Sequence, residues 1–158
     1  MHRPAAWPCL KSVVAAVADL PALPQKSLSV APTHSSYTFA NEQIELVVDF
    51  LTPWLPFDLE VGGRPVSYIT CSVRSLNGQP HRVELYLDAS AEWCVHDADQ
   101  QVEWRKAAIP GLNAARFGSL DQAALRRVGD HTRIDWGYFY LASTDGAIQV
   151  ATDIAARG

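Results

Sequence analysis

Cysteine is scarce in this chain of 158 residues, which contains Cys9, Cys71 and Cys94. The three form no C-x-x-C pair and no even-numbered set, so a structural zinc site and a disulfide scaffold are both disfavoured. One disulfide bond is the most that they can form. Cysteine usage therefore does not fix the compartment, and the localisation stays open.

Long apolar runs and an excess of positive charge are missing as well. Although 48% of the residues are hydrophobic, no stretch of about 18 apolar residues runs without a charge, so we expect no membrane span. The 13 basic and 17 acidic side chains give a formal net charge of -4, which does not favour a nucleic-acid partner. The length suits one globular domain.

The N-terminal segment contains a short apolar run at residues 13–17, which Asp19 ends and which has prolines on both sides. A secretory signal peptide needs a longer uninterrupted apolar region. We therefore expect an irregular leader at residues 1–23 and a single domain at residues 24–158.

The common catalytic strings are also absent: the sequence has no G-x-S-x-G, H-E-x-x-H, Walker or G-x-G-x-x-G pattern. A site assembled from scattered residues would escape such a search, so the catalytic residues stay unknown. The loop "HDADQ" brings His96, Asp97 and Asp99 together, but calcium usually takes more oxygen ligands than these supply. We interpret it as a solvated acidic turn and expect no metal and no cofactor.

What the sequence does contain is an alternation of apolar and polar residues, which is typical of strands with one buried face. Ile44, Leu46, Val48 and Phe50 share one face of such a strand. Strands at residues 66–76 and 81–88 are expected to form a hairpin through the turn "LNGQP". Shorter strands are expected at residues 29–30, 37–40, 93–96, 102–106, 112–117, 138–143 and 148–151.

Many short strands without alternating helices predict an all-β fold, an antiparallel β-sandwich. One short helix is expected near residues 120–128. Ser119 would cap its start, Gln122 stands at the capping-box position, and Gly129 would end it.

Residues 52–68 form a long segment, rich in proline and glycine, between two expected strands. Such a loop could present a surface to a ligand or a neighbouring domain through its aromatic and charged residues, which are Trp54, Phe57, Asp58, Glu60 and Arg64. Alternatively, Trp54 and Phe57 are buried at the end of the sandwich and Arg64 pairs locally with Asp58 or Glu60.

The most aromatic segment is "RIDWGYFYLA" at residues 133–142. On a strand, Arg133 and Asp135 would project from the same side and could form an ion pair with each other or with a neighbouring strand. A charged pair in such an apolar segment must be satisfied, which favours a structural role. Alternatively, Asp135, Trp136 and Tyr138 belong to a polar site at the end of the sheet.

Four strings occur together: "RPVSY", "NG-x-PH", "LY-x-DAS" and "RIDWGY". With the segments around them, they make residues 24–145 resemble the β-sandwich region of the glutaminase A family of fungi and bacteria. The resemblance implies hydrolysis of L-glutamine to L-glutamate and ammonia by a secreted or periplasmic protein. It also implies a helical toroid domain as the partner of the sandwich. The sandwich by itself would be inactive and non-catalytic.

Two other functions stay open at this stage. A carbohydrate-binding or other ligand-binding sandwich needs aromatic platforms, which the five tryptophans permit. Hydrolysis of glutamine by this chain alone would need a nucleophile or metal and an oxyanion-stabilising pocket, and the sequence displays none of these.

Overall fold

A computed structural model describes residues 21–97 and 99–150. Most of the expected leader, residues 1–20, lies outside the described residues. The described residues fall into two compact units, a first unit made of residues 21–86 and a second unit made of residues 87–97 and 99–150. The single domain expected at residues 24–158 stays a prediction.

The first unit is a four-stranded antiparallel sheet in the order β1-β2-β3-β4. Its strands are β1 (Gln25–Ala31), β2 (His34–Ala40), β3 (Ile44–Leu51) and β4 (Tyr68–Ser75), and a short helix, α1 (Leu59–Gly62), lies between β3 and β4. Each connection before β3 is short, so neighbouring strands pair in chain order.

The expected apolar face of β3 is confirmed. Val48 is buried and lies opposite Tyr37 in the register of β2 and β3. The ring of Tyr37 stacks on Phe39 at 6.3 Å and meets Phe50 edge-on at 5.9 Å. Because cross-strand neighbours share a face, these aromatic rings and the apolar residues of β3 form one layer.

The second unit begins with a short 3₁₀ helix (Ala91–Cys94) and continues as a three-stranded antiparallel sheet. Its strands are β5 (Val102–Ile109), β6 (Leu112–Ser119) and β7 (Phe139–Ser143). On one face, Phe117 stacks on Phe139 at 5.0 Å and Trp93 meets Phe139 at 5.7 Å. The 3₁₀ helix therefore covers part of the apolar face of this sheet.

The all-β, antiparallel fold class predicted from the sequence is confirmed, but the expected hairpin partner at residues 81–88 is wrong. Gly78 has the predicted positive φ, +71°, yet residues 81–88 form no strand. Asn77 Oδ1 accepts from the Gln79 N–H at 3.0 Å and lies 2.8 Å from His81 Nε2. This side-chain turn, with the missing N–H of Pro80, replaces the hydrogen bonds that a paired strand would make.

The helix expected near residues 120–128 is also wrong. Gln122 and Leu125 have φ values of +34° and +55°, which a right-handed helix does not allow. The Gln122 side chain donates to the carbonyl oxygens of Ser119 and Gly137 instead of closing a capping box. The segment is therefore held by contacts with residues distant in sequence.

Two of the shorter strands are wrong as well. Residues 91–94 form the 3₁₀ helix, because Ser90 Oγ accepts from the Glu92 N–H at 3.2 Å and caps its start. Residues 148–150 are not in a strand, and residue 151 lies outside the described part of the chain.

Candidate functional site

A buried aspartate organises the long segment between β6 and β7. Asp135 is 5% exposed, and its Oδ2 accepts from Arg127 Nε at 2.8 Å and from Gln100 Nε2 at 2.9 Å. We call these three residues the aspartate cluster. Of the two arrangements expected for Asp135, neither the ion pair with Arg133 nor one with a neighbouring strand forms, because Asp135 pairs with Arg127 and lies before β7 begins rather than on a strand.

The electrostatics of the aspartate cluster keep its carboxylate ionised. The hydrogen bond from Arg127, followed by the one from Gln100, holds the pKa of Asp135 below its usual range. The same pair raises the pKa of Arg127. A carboxylate that holds no proton and is satisfied by two donors is a structural anchor rather than a general acid.

Gln122 and Ser119 bind the backbone next to this cluster. Ser119 Oγ donates to the carbonyl oxygen of Asp135, and Gln122 Oε1 accepts from the Gly137 N–H at 2.7 Å. The Ser119 hydroxyl is therefore engaged by a carbonyl group and not by a base, so it is not activated as a nucleophile.

An open cavity of about 460 Å³ lies beside the cluster and is lined by Gln100, Gln101, Leu120, Asp121, Arg126 and Arg127. Its charges are already paired. Arg126 binds Asp121, while Arg127 binds Asp135 and lies 3.5 Å from Asp97. The wall of this cavity therefore offers little unbalanced charge to a ligand.

The sheet face opposite the aromatic layer of the second unit carries a second polar cluster. Arg105 Nη2 donates to Glu103 Oε2 at 3.0 Å, and the Tyr138 hydroxyl donates to Glu103 Oε1 at 2.9 Å. The guanidinium carbon of Arg116 lies 4.2 Å from the centre of the Tyr138 ring. Tyr138, a candidate from the sequence, is thus part of a charged surface formed with Tyr140 and the arginines.

Gly118 makes this arrangement of Tyr138 possible. A Cβ atom at residue 118 would lie 2.6 Å from the Gly137 carbonyl oxygen and 2.7 Å from Tyr138 Cδ1. Only a residue without a side chain permits so close an approach of the backbone of β6 to the segment that enters β7.

The electrostatics of this cluster fix its charge states. Hydrogen bonds from the Tyr138 hydroxyl and, more weakly, from Arg105 lower the pKa of Glu103. A hydrogen bond with the Tyr140 hydroxyl raises the pKa of Arg116. Both shifts favour the charged forms of Glu103 and Arg116.

The other candidates from the sequence lie in the loop of residues 52–67 of the first unit, which we call the aromatic loop. Asp58 caps α1 by accepting from the Val61 N–H at 3.0 Å, and Arg64 donates to Glu60. The local pairing of Arg64 that the second interpretation included is confirmed, but the other half of that interpretation is not. Trp54 is 60% exposed and Phe57 is 102% exposed, so their predicted burial is wrong.

Trp136 and Tyr138 follow Asp135 in the second unit, and each is more than a third exposed, at 39% and 36%. The structure thus brings Asp135, Trp136 and Tyr138 together in one unit. It places Trp54, Phe57, Asp58 and Arg64 together in the other.

Residue types of a hydrolytic triad occur in the first unit, but their bonding does not match one. His34 Nε2 lies 3.0 Å from Asp49 Oδ1. The pKa of Asp49 is lowered, most strongly by Ser36 and then by His34. In a triad the histidine contacts the serine and takes its proton. Here the histidine binds the carboxylate instead, through Nε2.

The acidic loop of the second unit is engaged internally. His96 Nδ1 accepts from the Arg133 N–H at 3.1 Å, and Asp97 lies near Arg127. Within residues 21–97 and 99–150, no group of three or more His, Cys, Asp or Glu side chains could hold a metal ion. In the same residues, no helix has the length and apolar character needed to cross a membrane.

Sequence reasoning missed the opposition of Arg105 and Arg116 and the partners of Asp135. The sequence does contain a pattern that predicts the pairing of Arg105 with Arg116. The two-residue loop Pro110-Gly111 fixes the hairpin register, so residues equally distant from the loop pair across the strands. The partners of Asp135, Arg127 and Gln100, are 8 and 35 residues away, and no spacing rule connects them.

Comparison with known proteins adds a family and one relative. The model of a domain of unknown function, DUF5127, matches residues 33–158. The chain is 28% identical over 147 residues to glutaminase A of Aspergillus oryzae, an alignment that covers 90% of the chain. It spans 21% of the length of that relative. No solved structure matches the chain.

Proposed function

The chain belongs to the DUF5127 family, and we propose that it acts as the non-catalytic β-rich region of a glutaminase-A-like protein. In this proposal the whole protein hydrolyses L-glutamine to L-glutamate and ammonia, and a helical toroid domain packs against the β-rich region. In the same proposal, the reacting groups lie outside residues 21–97 and 99–150.

The alignment with glutaminase A carries the proposal. Nine-tenths of this chain align with about a fifth of the relative, so the similarity concerns one region of a much longer protein. The activity of the relative therefore belongs, in this proposal, to a whole protein that contains this chain as one region, and not to the region by itself.

The state of the polar groups supports a non-catalytic role. Asp135 is bound by Arg127 and Gln100, and Asp49 is bound by His34. In each case the carboxylate is used for cohesion. None of these clusters presents a nucleophile beside a free base, which covalent hydrolysis of an amide needs.

The aromatic loop supports the proposed packing against another domain. Trp54, Phe57 and Leu59 are 60%, 102% and 83% exposed. The cap that Asp58 forms and the Arg64–Glu60 pair hold this loop in place. Exposed apolar groups on an ordered loop are typical of a surface that another domain covers.

Ammonia release from L-glutamine tests the proposal. The chain alone should release none, whereas a chimera in which it replaces the matching region of Aspergillus oryzae glutaminase A should be active. Turnover by the chain alone would contradict the proposal, as would a chimera that folds but is inactive.

Variants of the chimera test the docking role of the aromatic loop. The double variant Trp54→Ser/Phe57→Ser should lower activity and thermal stability together, because it weakens the contact between the regions. Val30→Ser is the matched control, since Val30 is 71% exposed in the same unit but lies on β1, outside the loop. Equal effects of the two changes would argue against the loop as the contact.

Binding of oligosaccharides that is lost in Trp54→Ser would favour the ligand-binding function instead.

A further inference from the structure

Two arginines face each other on neighbouring strands of the second unit. Arg105 on β5 is directly opposite Arg116 on β6. Like charges at such positions destabilise a sheet, because the side chains leave the strands about 5 Å apart. The arrangement therefore needs negative charge nearby to offset the repulsion.

The described part of the chain supplies one carboxylate to this pair, and that carboxylate is shared. Glu103 accepts from Arg105 and from the Tyr138 hydroxyl, and its Oε1 lies 3.9 Å from Arg116 Nη2. Positive charge is left in excess at this place, although the whole chain has a formal net charge of -4.

The basic residues border a hollow of about 310 Å³. We call it the cationic hollow and define it by Arg105, Arg116 and Tyr140, which line it together with Lys106 and apolar residues of β5. The hollow is open to solvent, since the side chain of Arg105 is 65% exposed and Tyr140 is 48% exposed. A pocket for a small molecule normally encloses most of its ligand, so this shape suits a segment lying across the sheet.

The Arg116 guanidinium is held in place before any partner arrives. Its carbon lies 4.2 Å from the centre of the Tyr138 ring, and its Nη2 lies 3.9 Å from Glu103 Oε1. A guanidinium fixed in this way loses little conformational freedom when it binds a carboxylate.

We propose that the cationic hollow is a docking site for an acidic segment of a protein partner, whose carboxylate binds between Arg105 and Arg116. Charge complementarity identifies the partner, because one additional carboxylate would relieve the repulsion of the two guanidiniums and form charge-assisted hydrogen bonds with them. The inference goes beyond the proposed role in a glutaminase-like protein and does not depend on it.

Binding of a fluorescently labelled peptide of alternating glutamate and serine, followed by fluorescence anisotropy, tests the proposal. The full chain should bind it more tightly than the peptide with glutamine in place of glutamate, and added salt should weaken the binding. Arg105→Gln should weaken binding about tenfold, because it removes one of the two charge-assisted contacts.

Two variants sharpen the test. Glu103→Gln should tighten binding, because it removes the carboxylate that competes for both arginines. Arg74→Gln is the matched control, since Arg74 is an exposed arginine paired with a glutamate in the first unit, and it should leave binding unchanged. Arg105→Gln should also keep its Tm near that of the parent chain, because it relieves the repulsion with Arg116.

Three results would overturn the proposal. The first is equal binding of the glutamate and glutamine peptides, and the second is unchanged binding by Arg105→Gln. The third is displacement of the peptide by free glutarate at the same carboxylate concentration, which would identify a site for small carboxylates instead of a protein-docking surface.

Discussion

The two units build similar antiparallel sheets but stabilise them in different ways. In the first unit the charged pairs lie at the surface, as with Arg74 and Glu45, whose side chains are 68% and 25% exposed. In the second unit the carboxylate of Asp135 is buried and binds residues far away in the sequence. The difference indicates that the first sheet is held mainly by strand pairing and its apolar layer, whereas the second also depends on a few buried polar contacts.

Removing the buried carboxylate should have the largest effect. Asp135→Ala leaves Arg127 and Gln100 without their partner, and breaking one side of a buried pair is strongly destabilising. We expect Tm to fall on the order of 10 °C, measured by circular dichroism at pH 7.

Asp49→Ala is the matched control in the first unit. Its carboxylate is 30% exposed and pairs with His34, so water replaces the lost contact and Tm should change much less. Equal losses of Tm in the two variants would remove the proposed difference between the units.

A change at a close backbone approach should have the next largest effect. In Gly118→Ala the new Cβ meets the carbonyl oxygen of Gly137 and the ring of Tyr138, which forces the entry of β7 to move. We expect a loss of about 2 kcal/mol in the free energy of unfolding, measured with urea.

Gly62→Ala provides the comparison in the first unit, because its nearest contact would be the ring of Trp54 at 3.4 Å. That distance is an ordinary van der Waals contact, so this variant should unfold at nearly the parental urea concentration. A tolerated Gly118→Ala would show that the segment between β6 and β7 is less constrained than its contacts indicate.

The same contrast explains how much of the fold the sequence predicts. Ile44, Leu46, Val48 and Phe50 alternate strictly, and β3 forms where that alternation occurs. Residues 81–88 alternate equally well, yet no strand forms there. Alternation states which face of a strand could be buried, but a strand also needs a neighbour to pair with and a layer to cover it.

The candidate site was less predictable than the strands. The end signals at residues 119–129 suit a helix, but the Gln122 side chain binds Gly137 and fixes a different backbone. Asp135 could be recognised as a charge that needs a partner, whereas the identity of that partner, Arg127, depends on the path of the intervening loop. Local propensity yields to long-range hydrogen bonds at such places.

Acid should weaken the second unit through Asp135. Its pKa in the folded chain is below the ordinary value of 3.8, so the stability that it contributes is complete above that value and is lost as the pH falls through the lower, folded pKa. The Tm difference between the parent chain and Asp135→Asn should therefore be large at pH 7 and shrink below pH 3.8. A difference that stays constant with pH would contradict the lowered pKa.

The smallest effect is expected for the exposed ion pair of the first unit. Glu45 and Arg74 are directly opposite on β3 and β4, and Arg74 Nη2 lies 2.8 Å from Glu45 Oε1. Exposed pairs of this kind couple by less than about 1 kcal/mol, because both ions are well solvated when apart. A double-mutant cycle with Arg74→Ala and Glu45→Ala, measured by urea unfolding, should give a coupling in that range that decreases with added salt. A larger coupling would mean that the first sheet also depends on specific polar contacts, and the contrast between the two units would then lie in burial alone.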